Sequence, residues 1–210
     1  MIDTHLFDLI NAFARATPWL HGVMTAYALW AGLVVLALLL VAGWWWTARY
    51  RQDAPRAVAT AVLTGVAAVV AVLVNQNLFS PAIGRVRPCR ALAPVEVLLP
   101  CSNDYSMPSD HTVIGGAFVI GLLILSWRLG RPAVLLALLL AFSRVYVGVH
   151  YPADTVVGLL LGAVIGAVVV LGGRRGATTL AQRLTRTRLR ALVTARPTAD
   201  LRSPRLDRVG

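Results

Sequence analysis

Apolar runs of about twenty residues recur along this 210-residue chain, at roughly 23–46, 57–79, 112–127, 132–148 and 154–172. A helix needs about 20 such residues to cross ~30 Å of hydrocarbon. Charged residues make up 14% of the sequence, where a soluble domain carries about a quarter. The chain is therefore expected to be all-α: a polytopic membrane helix bundle with about five spanning helices plus an N-terminal interfacial helix.

The flanks divide into two further regions. In residues 1–22, Ile2, Leu6, Ile10 and Phe13 recur at helical spacing beside Leu9, among Asp3, His5, Asp8, Arg15 and His21. This pattern predicts an amphipathic helix lying at the interface. It has no basic start and no small-residue cleavage site, so no signal peptide is expected. Residues 23–173 form the membrane-embedded domain, with Trp44, Trp45 and Trp46 as an interfacial anchor. Residues 174–210 form an Arg-rich tail in which Leu180, Leu184, Leu189 and Leu192 suit a helix on anionic lipid.

The formal charge is +11, and all 20 basic residues are arginine. Nucleic-acid binding is set aside, because ten of those arginines follow the last apolar run, where a lipid-facing tail accounts for them. Loop 47–56, the turn at 128–131 and the tail alternate onto one side of the membrane. The positive-inside rule makes that side cytoplasmic. The N-terminus and loops 80–111 and 148–153 then lie outside. Arg85, Arg87 and Arg90 in loop 80–111 run against the rule, which points to anion binding. The same loop holds the two cysteines of the chain, Cys89 and Cys101. Outside the cytoplasm a disulfide between them is permitted and expected.

Three polar islands share that outer side: Gly84–Pro88 with Arg85 and Arg87, then Pro108-Ser109-Asp110-His111, then the stretch from Ser143-Arg144 to His150 and Asp154. Titratable groups at a membrane rim are costly and tend to be functional. Arginine forks bind phosphate oxygens in pairs. Ser109 precedes a helix start, where free N–H groups favour an anion. Asp154 falls four residues after His150, in the first turn of a helix opened by Pro152. From there it is expected to hydrogen-bond one ring nitrogen and leave the other nucleophilic. His111 supplies a second imidazole for proton transfer. Carboxylates are too few for a metal cage, so neither a metal nor another cofactor is expected. The parts suit phosphoryl transfer through a phosphohistidine.

These islands resemble the signature of the type-2 phosphatidic-acid phosphatase superfamily: Lys, six residues, Arg-Pro; Pro-Ser-Gly-His; Ser-Arg, five residues, His, three residues, Asp. The third part is complete in Ser143, Arg144, His150 and Asp154. The second has Asp110 in place of Gly, a variant that looks like the undecaprenyl-diphosphate phosphatase branch. The first has Arg87-Pro88, with Ser80 where Lys is usual. The resemblance covers about 60–172. It implies His150 as nucleophile oriented by Asp154, His111 as acid and base, and Arg87, Ser109 and Arg144 as phosphate binders. Arg85 is expected to supply the cation that Ser80 lacks. The implied activity is metal-independent removal of the terminal phosphate of a polyprenyl (undecaprenyl or decaprenyl) diphosphate on the extracytoplasmic face of a bacterial plasma membrane. The alternatives are a phosphatase for phosphatidic acid, phosphatidylglycerol phosphate or another prenyl-linked phosphate, and a non-catalytic lipid-phosphate binding or transport protein. The partners are then the lipid phosphate and the membrane.

Overall fold

A computed structural model describes residues 2–50, 53–92 and 94–194. Among them there is no strand. The chain runs through α1 (Ile2–Ala16), α2 (Pro18–Tyr50), α3 (Ala54–Val74), α4 (Asp110–Leu125), α5 (Trp127–Tyr146) and α6 (Pro152–Leu184). Helix α3 continues through a widened turn at Asn75–Phe79 and a last turn at Ser80–Ile83. Helices α2, α5, α6 and extended α3 are long and apolar enough to cross a membrane, and α4 is a shorter apolar helix. This is the polytopic helical bundle expected from the apolar runs.

Helix α4 sits in the middle. It packs against α6 most extensively, then against α5 and α3, and least against α2. Its neighbours bury Leu36 and Leu40 of α2, Ala57, Ala61, Ala68 and Ala71 of α3, and Ala133, Ala137 and Leu140 of α5 against Val113, Ala117, Phe118 and Leu122. Alanine lets helix backbones approach closely, which lipid-embedded packing favours. On α6, Gly158, Gly162 and Gly166 repeat every fourth residue and face α4. A Cβ on Gly162 would strike the Val113 carbonyl, and one on Gly116 would strike the Leu159 carbonyl. The crossing thereby fixes the N-terminal end of α4 against the N-terminal end of α6.

Several boundaries differ from the sequence expectation. Helix α6 runs unbroken to Leu184, through the expected boundary at 173/174. At 1.5 Å per residue its 33 residues span about 50 Å, more than the hydrocarbon requires. The stretch from residue 195 on lies outside the described residues. Helix α1 turns one face to the protein. Phe7, Asn11 and Ala14 are buried, while Ile2, Leu6, Leu9 and Phe13 stay exposed. Asn11 explains the choice: its amide donates to the Glu96 carbonyl and accepts from the Glu96 N–H, at 2.8 and 3.0 Å. These two bonds stitch α1 to the long loop between α3 and α4. The same Glu96 carbonyl lies where a Cβ on Gly148 would sit, and Gly148 has φ +82°, a conformation glycine adopts without penalty.

Candidate active site

His150 lies in the short loop between α5 and α6 and is 2% exposed. Its Nδ1 lies 2.8 Å from the Ser106 carbonyl, which can only accept, so Nδ1 carries the proton. Nε2 then presents a lone pair. Two guanidinium groups point at it: Arg87 Nη1 at 3.0 Å and Arg144 Nη2 at 3.2 Å. Burial first, then Arg144 and Arg87, hold the His150 imidazole well below its usual range, so it stays neutral. A neutral, oriented imidazole with its lone pair beside two anion-binding forks is arranged for nucleophilic attack on a phosphoryl group.

Helix geometry brings the other groups in. Arg144 is in the last turn of α5, where its Nη1 donates to the Ala28 carbonyl. Ser109 caps α4 and His111 is in its first turn. His111 Nε2 contacts the Leu29 carbonyl at 3.1 Å. Both carbonyls belong to a widened turn in α2 at Tyr27–Ala31. Such turns release backbone groups from the helical ladder, and they recur at functional sites. A second widened turn, at Asn75–Phe79, holds Asp110: Asn75 Nδ2 and Gln76 Nε2 donate to its two oxygens at 2.7 and 2.8 Å. The Ser109 hydroxyl and Arg144 Nε are buried and have no hydrogen-bond partner. Buried orphans are expensive, and Arg144 Nε belongs to one of the two guanidinium groups at His150, where a ligand oxygen would satisfy it.

Asp154 does not do what its spacing predicts. Its Oδ2 stands 3.6 Å from His150 Nδ1, beyond hydrogen-bond reach. It accepts from the Tyr151 N–H at 2.8 Å, closing the first turn of α6. The Ser106 carbonyl orients the ring instead. Arg85, expected to bind phosphate, is bonded to carboxylates and not to His150. Its Nη1 bonds Asp154 Oδ1 at 2.8 Å, its Nη2 bonds Asp3 Oδ2 at 2.6 Å, and its guanidinium covers the Tyr151 ring at 3.9 Å. Arg85 is thereby spent on two carboxylates. Arg87 has its own partner in Asp104, which takes Nε and Nη2 as a fork at 2.9 and 3.0 Å. Burial raises the Asp104 carboxyl, but hydrogen bonds from Arg87 and Ser102 outweigh it and leave the group below its ordinary value.

Cys89 and Cys101 are joined, with Cα atoms 6.1 Å apart. The bridge closes the loop that begins just after Arg87 and ends just before Asp104. A cleft of about 220 Å³ opens beside Arg87, lined also by Gln76, Ser80, Tyr105, Asp104 and Asp110. Ser80 and Asp110, the two departures from the signature, thus share one wall. Among the described residues no group of three or more His, Cys, Asp or Glu converges. Ser106, Asp104, Asp3, Gln76 and the Ala28 and Leu29 carbonyls were not singled out as site groups by the sequence. Backbone carbonyls leave no trace in it, and Asp3 meets the site only through tertiary packing.

The fold and the site define a helical membrane protein with a buried histidine held between two guanidinium groups. Comparison with known proteins agrees. The PAP2 superfamily matches residues 57–175. The undecaprenyl-diphosphatase BcrC of Bacillus subtilis is 33% identical over 79% of this chain and 81% of its own. An undecaprenyl-diphosphatase of Sulfolobus acidocaldarius is 32% identical over 77% and 73%. The crystal structure of Aquifex aeolicus LpxE superposes with a TM-score of 0.58 and 26% identity, over 82% of this chain and 96% of that one. The chain belongs to the PAP2 superfamily, and it is a membrane lipid phosphatase.

Proposed function

We propose that the protein removes the terminal phosphate of a polyprenyl diphosphate through a phosphohistidine at His150, without a metal. The observation that carries this reading is the neutral Nε2 of His150 between Arg87 and Arg144, with Arg144 Nε buried and unpartnered. The arriving phosphoryl oxygens take over the guanidinium N–H groups that cover Nε2 and accept the Ser109 hydroxyl. The freed lone pair attacks phosphorus, a P–N bond forms, and the P–O bond to the prenyl monophosphate breaks. His111 exchanges the Leu29 carbonyl for the departing oxygen and gives it a proton. The His150 ring, now bonded at both nitrogens, is positive. The Ser106 carbonyl and the Asp154 carboxylate at 3.6 Å stabilise it. Water then attacks phosphorus, His111 takes the water's proton, and the P–N bond breaks to release phosphate.

The cytoplasmic tail and extracytoplasmic site rest on the arginines. Arg56 and Arg174 line a cleft with Leu125, at the end of the bundle opposite His150, and Arg128 and Arg131 follow on the next helix. The positive-inside rule assigns that end to the cytoplasm. A second reading of the substrate has its own support. A decaprenylphosphoryl-5-phosphoribose phosphatase of Mycobacterium tuberculosis is 37% identical over 53% of this chain. The cleft wall of Ser80, Gln76, Asp104 and Asp110 has acceptors suited to sugar hydroxyls where the signature has a cation.

The test is phosphate release by the detergent-purified protein from a panel of prenyl diphosphates, prenyl-linked phosphosugars, phosphatidic acid and phosphatidylglycerol phosphate, with and without chelator. Chelator-resistant release, fastest with prenyl diphosphate and reduced more than about 10⁴-fold by His150→Ala, is expected. Fastest release from the phosphosugar favours the second reading. Metal-dependent release, or binding without turnover, overturns the mechanism.

A further inference from the structure

Helix α1 lies outside the region that matches the family, which begins at residue 57. Yet its first turn reaches the site. Asp3 Oδ1 accepts the Ala153 N–H at 2.9 Å, one of the free N–H groups at the start of α6. Asp3 Oδ2 binds Arg85 at 2.6 Å, and Arg85 passes to Asp154 at 2.8 Å. Asp154 is fully buried and lies 3.6 Å from His150 Nδ1. One helical turn along, Phe7 is buried against the Tyr151 ring, with centroids 5.5 Å apart. Tyr151 is in turn the face on which Arg85 rests.

We infer that α1 is part of the catalytic apparatus, with Asp3 a positioning residue that acts on His150 through Arg85 and Asp154. The argument is one of charge. Asp3 and Asp154 carry two negative charges and Arg85 one positive, so the chain of three is net −1. That charge lies on the side of the imidazole away from Arg87 and Arg144. It stabilises the positive ring that exists only once the P–N bond has formed. Replacing Asp3 by a neutral residue brings the trio to zero and leaves Arg85 to draw on Asp154 alone. The ground state, in which His150 is neutral, feels this little. The loss therefore falls on turnover rather than on substrate binding. Arg85 thereby acquires a role different from the phosphate binding expected of it.

The inference rests on His150 as nucleophile. It is tested on the full chain in detergent with undecaprenyl diphosphate, measuring kcat, KM and thermal unfolding. For Asp3→Asn we expect kcat to fall about 10- to 100-fold, with KM within about twofold. Asp3→Glu should restore most of the rate. Asp8→Asn, on an exposed face of the same helix, should match the parent. In an Arg85→Gln background, Asp3→Asn should add little, because both act through one chain of contacts. Unchanged kcat in Asp3→Asn, an equal loss in Asp8→Asn, or a loss carried by KM or by melting overturns the inference. Should Asp3→Asn not fold, Asp3→Ser takes its place: it removes the charge while its hydroxyl can still accept the Ala153 N–H. A parent-like kcat there is equally fatal. Activity surviving in His150→Ala would instead sink the proposed mechanism and leave these contacts as architecture.

Discussion

Arg85 and Arg87 are two residues apart, and each holds a carboxylate. Asp104, the partner of Arg87, is 56% exposed, whereas Asp154, the partner of Arg85, is fully buried. The buried pair is extended by Asp3 and by the Tyr151 N–H, so each oxygen of Asp154 has a donor. The open pair rests on a loop and on one fork. An exposed ion pair contributes about 0–1 kcal/mol and is readily exchanged, while breaking a buried one strands a charge. One side of His150 is thus built to stay and the other to be displaced. On the proposed mechanism, a phosphate takes the Arg87 fork only once Asp104 leaves it. That exchange is easy, because Asp104 has water to go to.

The largest effect is expected on the buried side. Asp154→Asn removes the carboxylate that faces the His150 ring and unbalances Arg85. A fall in kcat of about 10²- to 10³-fold, as for loss of one preorganised electrostatic group, is expected by steady-state phosphate release. A loss of less than about tenfold would show that the Ser106 carbonyl suffices and that the two sides do not differ in kind.

Why the two arginines part company bears on what the sequence can disclose. An extended segment would send Arg85 and Arg87 to one side, which is the basis for assigning both to phosphate. In the structure the segment runs between Gly84, left-handed at φ +65°, and the helical turn opened by Pro88, and the Arg85 carbonyl accepts the Ser106 N–H at 2.8 Å. The two side chains then diverge, to Asp154 and to Asp104. The apolar runs disclosed the bundle because lipid imposes length and composition on each helix separately. The His150, Arg144 and Arg87 cluster was legible because the spacing of reacting groups is dictated by chemistry. Neither argument reaches Ser106, whose contribution is a carbonyl, nor Asn75 and Gln76, whose polar ends read equally well as helix caps. Asp3 was hidden for another reason: the buried face of α1 is set by Asn11 on Glu96, not by its apolar periodicity.

The next prediction concerns the brace on the open side. Replacing both Cys89 and Cys101 by Ser frees the loop that carries Asp104 relative to Arg87. Closing a loop of this length is worth about 3 kcal/mol on the chain-entropy model. A lower melting temperature and a higher KM are expected, with kcat changed less, because His150 is held by Ser106 and the buried side. Equal losses in kcat and KM would mean that the loop also positions the nucleophile. Thiol labelling of the unreduced parent should find no free cysteine.

The protonation of His150 separates the two sides more finely. Burial and then the two arginines depress it. The native ring is therefore still neutral where the unfolded chain, with a value of about 6.5, has taken a proton. Acid thus favours the unfolded chain, and this contribution lowers stability as pH falls through that range. Histidine-selective NMR in detergent, assigned by comparison with His150→Ala, should show the His150 ring neutral through pH 6. Vanadate, by taking the guanidinium groups, should raise its value. A ring titrating at the ordinary pH would place it in water and remove the contrast with Asp104.

The smallest effect belongs to Asp104 itself. Asp104→Asn leaves a side chain of the same size but weakens its hold on Arg87, so the fork is more available to the substrate. With Asp104 open to water although Arg87 is buried, the exchange is worth about 1 kcal/mol. KM should therefore fall by up to about fivefold, with kcat nearly unchanged, and the gain should shrink in high salt. Vanadate should bind correspondingly tighter. A raised KM would mean that Asp104 holds Arg87 in position for phosphate and does not compete with it. The open pair would then be a fixture like the buried one, despite its exposure.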